Sequence, residues 1–204
     1  MRAILGKKIL MSRIFSPEGR QLPVTLIKFD KNTILQIKTL EKDGYQAIQV
    51  GSGSKKRLTR AESGRLKKIN PEFSPRHFFE IKTNQPYDLG QEITLDQFRE
   101  GEKVNATATS KGKGFAGTVK RHHFHLGPKT HGSNNYRRPG SIGSTFPERV
   151  IKGKRMAGRL GGEKTTVKNL EIIKIDLKLN QILIRGAVPG NKNSSVLLWS
   201  KNEN

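Results

Sequence analysis

Short apolar stretches with alternating or β-branched character recur along the chain, each bounded by turn residues. Residues 22–29 (LPVTLIKF) and 33–40 (TILQIKTL) predict two strands, and Asp30-Lys31-Asn32 between them predicts a hairpin turn. Residues 45–50 (YQAIQV) predict a third strand, introduced by Asp43-Gly44. Thr59-Arg60-Ala61-Glu62 has the spacing of a capping box and opens a short basic helix to about Ile69, before Pro71. Residues 78–81 and 92–95 predict further strands, and 103–109 alternates into the region that follows. The strongest pair is 167–176 (VKNLEIIKID) with 181–188 (QILIRGAV), turning near Leu179-Asn180; residues 194–199 add a last strand. Six or more short strands with one brief helix predict a mainly β protein built on a small closed β-barrel.

Beyond Thr109 this pattern fails. The 45 residues from Lys103 to Pro147 contain no aspartate or glutamate, and 19 of them are Lys, Arg, His or Gly. The basic character resumes after Glu148 and stops at Glu163. Strand signal returns beyond it, so the segment is an insertion between strands. The domain reading is a barrel body over 1–106 and 163–204, carrying a basic helical insertion at about 52–77, with a Gly-rich extension over 107–162. A loop this long without its own periodicity is unusual inside a compact domain. Fully extended and doubled back, 45 residues reach ~70 Å at about 3.3 Å per residue.

Charge follows the same division. Residues 107–162 hold twelve Lys/Arg against one Glu, and residues 52–77 hold eight against two. Of the chain's net +22, these two insertions therefore contribute +17, and the remaining 122 residues only +5. An ordinary soluble body with cationic arms needs a polyanion, and nucleic-acid phosphate is the leading candidate. Cysteine is absent, which excludes disulfides and thiolate metal sites and fits a reducing compartment. No apolar run approaches the ~18 residues of a membrane span. Lys7, Lys8 and Arg13 interrupt the N-terminal segment before a signal-peptide core forms. The expected location is cytosol or organelle stroma.

Gly112-Lys113-Gly114-Phe115-Ala116-Gly117 matches G-x-G-x-x-G, but Arg137-Arg138 stand where a dinucleotide site needs an acid. The glycines are better read as allowing close approach of main-chain N–H groups to phosphate, with Lys111, Lys113, Lys120 and Arg121 supplying charge. His122, His123, His125 and His131 invite a metal, yet no acidic partner lies nearby in sequence. With Phe124 and Tyr136 they are alternatively base- and ribose-contacting groups, or packing at the root of the extension. Lys129, Arg137, Arg138, Lys152, Lys154, Arg155 and Arg159 are candidate phosphate contacts. Lys55, Lys56, Arg57, Lys67 and Lys68 are candidates too, with a merely solvated helix face as the alternative. The serines near the histidines lack an orienting carboxylate, so no catalytic site, cofactor or small-molecule substrate is predicted. A DNA-packaging protein and an enzyme acting on nucleic acid remain the rival readings.

Several longer motifs, in this order, resemble the universal large-subunit ribosomal protein L-three family of bacterial type. They are residues 110–121 (SKGKGFAGTVKR), Thr130-His131-Gly132, residues 138–143 (RPGSIG), 150–158 (VIKGKRMAG), 166–170 (TVKNL) and 186–190 (GAVPG). The opening, Gly6-Lys7-Lys8 with Met11-Ser12-Arg13-Ile14-Phe15, is similar to the family's G-x-K-x-G-M-T-R-I-F, with Leu10 and Ser12 substituted. The resemblance implies a barrel of the kind shared with translation factors and an extension threading rRNA toward the peptidyl transferase centre. It also implies early binding near the 3′ end of large-subunit rRNA, a part in nucleating assembly, and neighbouring ribosomal proteins as partners. Some bacterial members carry a methylated glutamine just after S-I-G. Ser144-Thr145-Phe146-Pro147 stand there instead, so that modification is not carried over.

Overall fold

Strands dominate because one face of each carries residues that water rejects. In the computed structural model, which describes residues 1–66, 69, 73–83 and 86–201, the first such strand is β1 (Arg2–Phe15). It is followed by β2 (Gln21–Phe29), β3 (Asn32–Lys38), β4 (Ala47–Ser52), β5 (His77–Ile81) and β6 (Lys103–Thr109). After two short strands in the basic insertion, β7 (Phe115–Ala116) and β8 (Gly158–Arg159), come β9 (Lys164–Asp176), β10 (Gln181–Arg185) and β11 (Ser195–Ser200). The helices are short: α1 (Leu40–Asp43), α2 (Arg60–Leu66) and α3 (Thr118–His122).

Six strands pair in the order β1-β11-β6-β9-β10-β2 and close into a barrel, every contact antiparallel. Period-two alternation fills its interior. Ile182 and Ile184 of β10 are buried while Arg185 is exposed, and Val196 and Leu198 of β11 are buried beside half-buried Leu197 and Trp199. Ile4, Ile27, Phe29, Val104, Ala106, Ala108 and Ile172 belong to the same core, with Leu95, Phe98 and Val188 from outside the strands. Closure removes the open edges that a six-stranded sheet would expose.

The strands β3-β4-β5 form a separate antiparallel sheet. Its Ile34, Ile48, Val50 and Ile81 pack with Ala3, Leu197 and Trp199 of the barrel strands as a second core. Trp199 Nε1 donates to Thr107 Oγ1 at 2.9 Å, so its polar edge is satisfied where its ring is covered.

Several expectations are corrected at this level. The strand expected over 33–40 stops at Lys38, because Leu40 opens α1, whose chain reverses at Gly44. Residues 92–95 form no strand: Glu92 makes one isolated bridge to Thr33, and Leu95 opens a single 3-10 turn, Leu95–Gln97. Of the helix expected to reach Ile69, Arg60–Leu66 is helical and Ile69 is a turn residue, while residues 67 and 68 lie outside the described residues. β1, with 14 residues, is a strand that the apolar pattern does not announce. A register shift between Lys8 and Leu10 breaks its alternation, and Lys8 is buried.

The chain divides into two compact units, Met1–Thr109 with Lys164–Asn204, and Ser110–Glu163. The barrel and second sheet belong to the first; β7, α3 and β8 belong to the second.

Candidate nucleic-acid interface

The second unit begins as a two-stranded stalk. Ser110 N donates to Glu163 O at 2.9 Å, Lys113 N to Leu160 O at 2.9 Å, and Leu160 N to Gly114 O at 2.9 Å. β7 and β8 continue the ladder through Phe115↔Arg159 and Ala116↔Gly158. The G-x-G-x-x-G segment thus enters an antiparallel pair and no parallel βαβ unit. One glycine on the returning limb is required by close approach to backbone, and a second leaves room for a long side chain. A Cβ at Gly161 would lie 2.1 Å from Lys111 O, at a φ of +73°, and one at Gly158 would lie 2.6 Å from the Arg121 guanidinium.

α3 follows, closing on His123 in the left-handed region at φ 57°. From this turn two side chains reach the same carbonyl. Arg121 Nη1 donates to Met156 O at 2.8 Å, and His122 Nε2 lies 3.1 Å from it. The His122 and Phe124 rings are 6.1 Å apart and tilted by 41°. Beyond, Gly127 N donates to Tyr136 O at 2.9 Å, and Lys129 Nζ stands 5.2 Å from the Tyr136 ring centroid.

These contacts sort the sequence-predicted residues. Arg121 and His122 are half-buried and structural in part, tying the outgoing limb to the returning one. Lys111, Lys113, Lys120, His123, His125, Lys129, His131, Arg137, Arg138, Lys152, Lys154, Arg155 and Arg159 are exposed. Exposed Arg149 belongs with them, a cation that its acidic neighbour Glu148 disguises in the sequence. Large apolar groups are exposed here too, Phe115 at 80 % and Phe146 at 79 %.

Electrostatics separates the units. All seven side-chain ion pairs among the described residues join residues of the barrel-containing unit, for example Arg2–Glu102, Lys7–Asp30 and Arg185–Glu171. The cations of Ser110–Glu163 have no such partner among the described residues. Among those residues, too, no group of three or more His, Asp or Glu is placed to hold a metal ion.

The second basic insertion looks different. Thr59 N donates to Glu62 Oε2 at 2.9 Å and Glu62 N to Thr59 Oγ1 at 3.3 Å, a reciprocal capping box. Lys55 Nζ donates to both Glu62 oxygens, at 2.9 and 2.6 Å. That hydrogen bond, with those from Thr59, lowers the Glu62 pKa to about 2. Lys55 is therefore engaged within the fold. Lys56 and Arg57 are exposed, and Lys67 and Lys68 lie outside the described residues.

The ion pairs among the described residues all belong to a mainly β body, while Ser110–Glu163 presents exposed cations without one, a charge division of the kind seen in polyanion-binding proteins. Comparison with known proteins gives the family. The model of the ribosomal protein L3 family matches residues 78–181. The chain is 46 % identical over 201 residues to the large ribosomal subunit protein uL3 of Exiguobacterium sibiricum, covering 97 % of this chain and 96 % of that one. It is 44 % identical over 200 residues to uL3 of Streptococcus mutans, covering 98 % and 96 %, and 49 % identical over 192 residues to uL3 of a Synechococcus species, covering 92 % and 90 %. The chain belongs to the ribosomal protein L3 family.

Proposed function

We propose that this protein is a structural constituent of the large ribosomal subunit, working by binding rRNA and not by catalysis. The observation that carries the reading is the contrast in charge pairing: ion pairs in the barrel-containing unit, exposed and unpaired cations on the stalked arm. Lys and Arg that lack internal partners displace condensed counterions when they meet phosphate, which makes binding favourable and salt-dependent. Where RNA strands crowd together, such an arm relieves their mutual repulsion and staples them. A-form RNA would be met through phosphate, 2′-OH and shape, with few base-edge contacts.

In this proposal the body, a barrel of the translation-factor kind, docks near the 3′ end of large-subunit rRNA and helps nucleate assembly. The arm, residues 107–162, extends toward the peptidyl transferase centre. Its contacts are Lys111, Lys113, Lys120, Arg121, the histidines, Lys129, Arg137, Arg138, Lys152, Lys154, Arg155 and Arg159, with Lys56 and Arg57 supporting the body. Neighbouring large-subunit proteins complete the surroundings, in the ribosomes of a cytoplasm or an organelle stroma. No helix among the described residues is long and apolar enough to cross a membrane.

The test is competition between folded large-subunit rRNA and duplex DNA of equal length, at near-physiological salt. Preference for the rRNA is expected. Equal affinity would favour a DNA-packaging role instead.

A further inference from the structure

The barrel does not end where its ring closes. β1 pairs with β11 only from Arg2 to Lys7, and β2 pairs with β10 only from Val24 to Lys28. Met11↔Thr25 and Ser12↔Val24 form where β2 still holds β10; past them the two strands pair with each other alone, through Arg13↔Pro23, Ile14↔Leu22 and Phe15↔Gln21. The result is a two-stranded arm that leaves the ring.

Alternation decides which face it carries outward. Ile27 and Phe29 lie in the barrel core, so Thr25, Pro23 and Gln21 continue that inner face along β2. Their partners Met11, Arg13 and Phe15 share it. The face is thus a stripe of thioether, guanidinium and phenyl ring, continuous with a barrel interior yet open to solvent. Met11 is 49 % exposed and Phe15 69 %.

Charge indicates what covers the stripe. Residues 1–17 contain Arg2, Lys7, Lys8 and Arg13 and no acid. Arg2 is paired with Glu102, Lys7 with Asp30, and Lys8 Nζ donates to Val188 O at 2.7 Å. Arg13 has no carboxylate partner among the described residues. Glu18, at the hairpin turn, lies 3.3 Å from Arg20 and so adds no net negative charge there. One free guanidinium flanked by an aromatic ring and a thioether suits a phosphate beside an unstacked base.

We infer that the distal β1–β2 hairpin is a second RNA-binding element, in which Phe15 stacks on an unpaired base and Arg13 contacts the adjoining phosphate. The inference rests on the rRNA-binding reading and assigns the body a contact face of its own.

The absence of cysteine makes a direct test simple. An iron–EDTA probe is tethered to the full chain through Ser12→Cys, and separately through Ser144→Cys in the arm, and each is bound to large-subunit rRNA. Cleavage from both positions is expected, at different places in the RNA. Phe15→Ala should weaken binding about 5- to 150-fold, the range of base–aromatic stacking, with an unchanged salt slope, and Phe15→Tyr should restore it. Arg13→Ala should reduce the slope by about 0.7–0.9, one phosphate contact. Cleavage from the arm but not the hairpin, with both variants binding normally, overturns this inference and leaves the broader reading intact. Cleavage from neither position overturns both. Variants that bind naked rRNA normally yet fail to enter subunits would show that the stripe meets a protein, which also overturns it.

Discussion

The guanidinium of Arg121 donates to the carbonyl of Met156 across a gap of 35 residues, in a place that a Cβ at Gly158 would crowd. The pair joins the outgoing and returning limbs of the arm where α3 ends. A cation in a basic segment is here a structural tie as well, so one nitrogen of Arg121 is engaged within the arm and the rest of the guanidinium is what phosphate can meet.

Gly161→Ala tests the stalk. The new methyl group would collide with Lys111 O in a backbone region that L side chains rarely adopt, at a local cost of about 1–3 kcal/mol. The expected outcome is faster trypsin cleavage within Ser110–Glu163, with the barrel's denaturation midpoint unchanged. Limited proteolysis with chemical denaturation measures both.

Replacing Lys152, Lys154 and Arg155 together with Ala addresses phosphate binding. These side chains are exposed, so stability should move by no more than about 0.5 kcal/mol. The slope of log affinity for rRNA against log salt should fall by up to about 0.7–0.9 for each phosphate no longer neutralised. An unchanged slope in filter binding would mean that the three cations are only solvated.

Ile184→Ala tests the barrel core. Ile184 is fully buried among the inner residues of the ring, and removing that much of a packed side chain costs about 2–5 kcal/mol. Urea unfolding of the full chain should show the destabilisation as a lower midpoint.

A pH effect follows from Glu62. Its folded-state pKa is lowered from 4.5 to about 2 by Lys55 and Thr59. A depressed carboxylate contributes stability that is complete above the unfolded value and is lost as pH falls through the folded one. Wild type should therefore exceed Glu62→Gln in stability at neutral pH, and the difference should shrink from about pH 4.5 toward pH 2. Thermal melts of both proteins across that window give the comparison, and a constant difference would contradict it.

Deleting residues 125–155 behind a short Gly-Ser bridge separates docking from stapling. All six ring strands lie outside the deletion, and shortening a loop changes closure entropy by only ~0.6 kcal/mol per halving. The barrel should fold and bind rRNA weakly, while cells carrying only this copy should accumulate immature particles on sucrose gradients. Normal subunit yield would show that the arm is dispensable.

Much of the body is legible in the sequence because its strands alternate cleanly. β10 and β11 bury every second residue, and the turn at Asn180 falls where the pattern breaks. β1 is obscured by Gly6, Lys7 and buried Lys8, since a lysine held by backbone carbonyls reads as a surface residue. Glu92 looks like strand for the opposite reason, its β-branched neighbours serving one bridge and a turn. In the arm, composition identifies the cations but not their partners. The stalk ladder joins distant residues such as Ser110 and Glu163 through main-chain atoms, and the Arg121 side chain ends on the Met156 carbonyl, so neither leaves a partner side chain to read in the sequence. Lys55 misleads in a similar way, because its pairing with Glu62 depends on how the chain turns into α2.

The pairing of β1 with β11 also sets an order of events in time. Arg2 lies opposite Ser200, so the first strand made waits for the last before the ring can shut. By then the entire arm has left the site of synthesis, its cations exposed while the hydrophobic interior is still half-built. Long-range closure of this kind is slow and leaves nascent chains prone to misassociation. RNA that captured the arm during this interval would therefore act as a folding partner before it acted as a ligand.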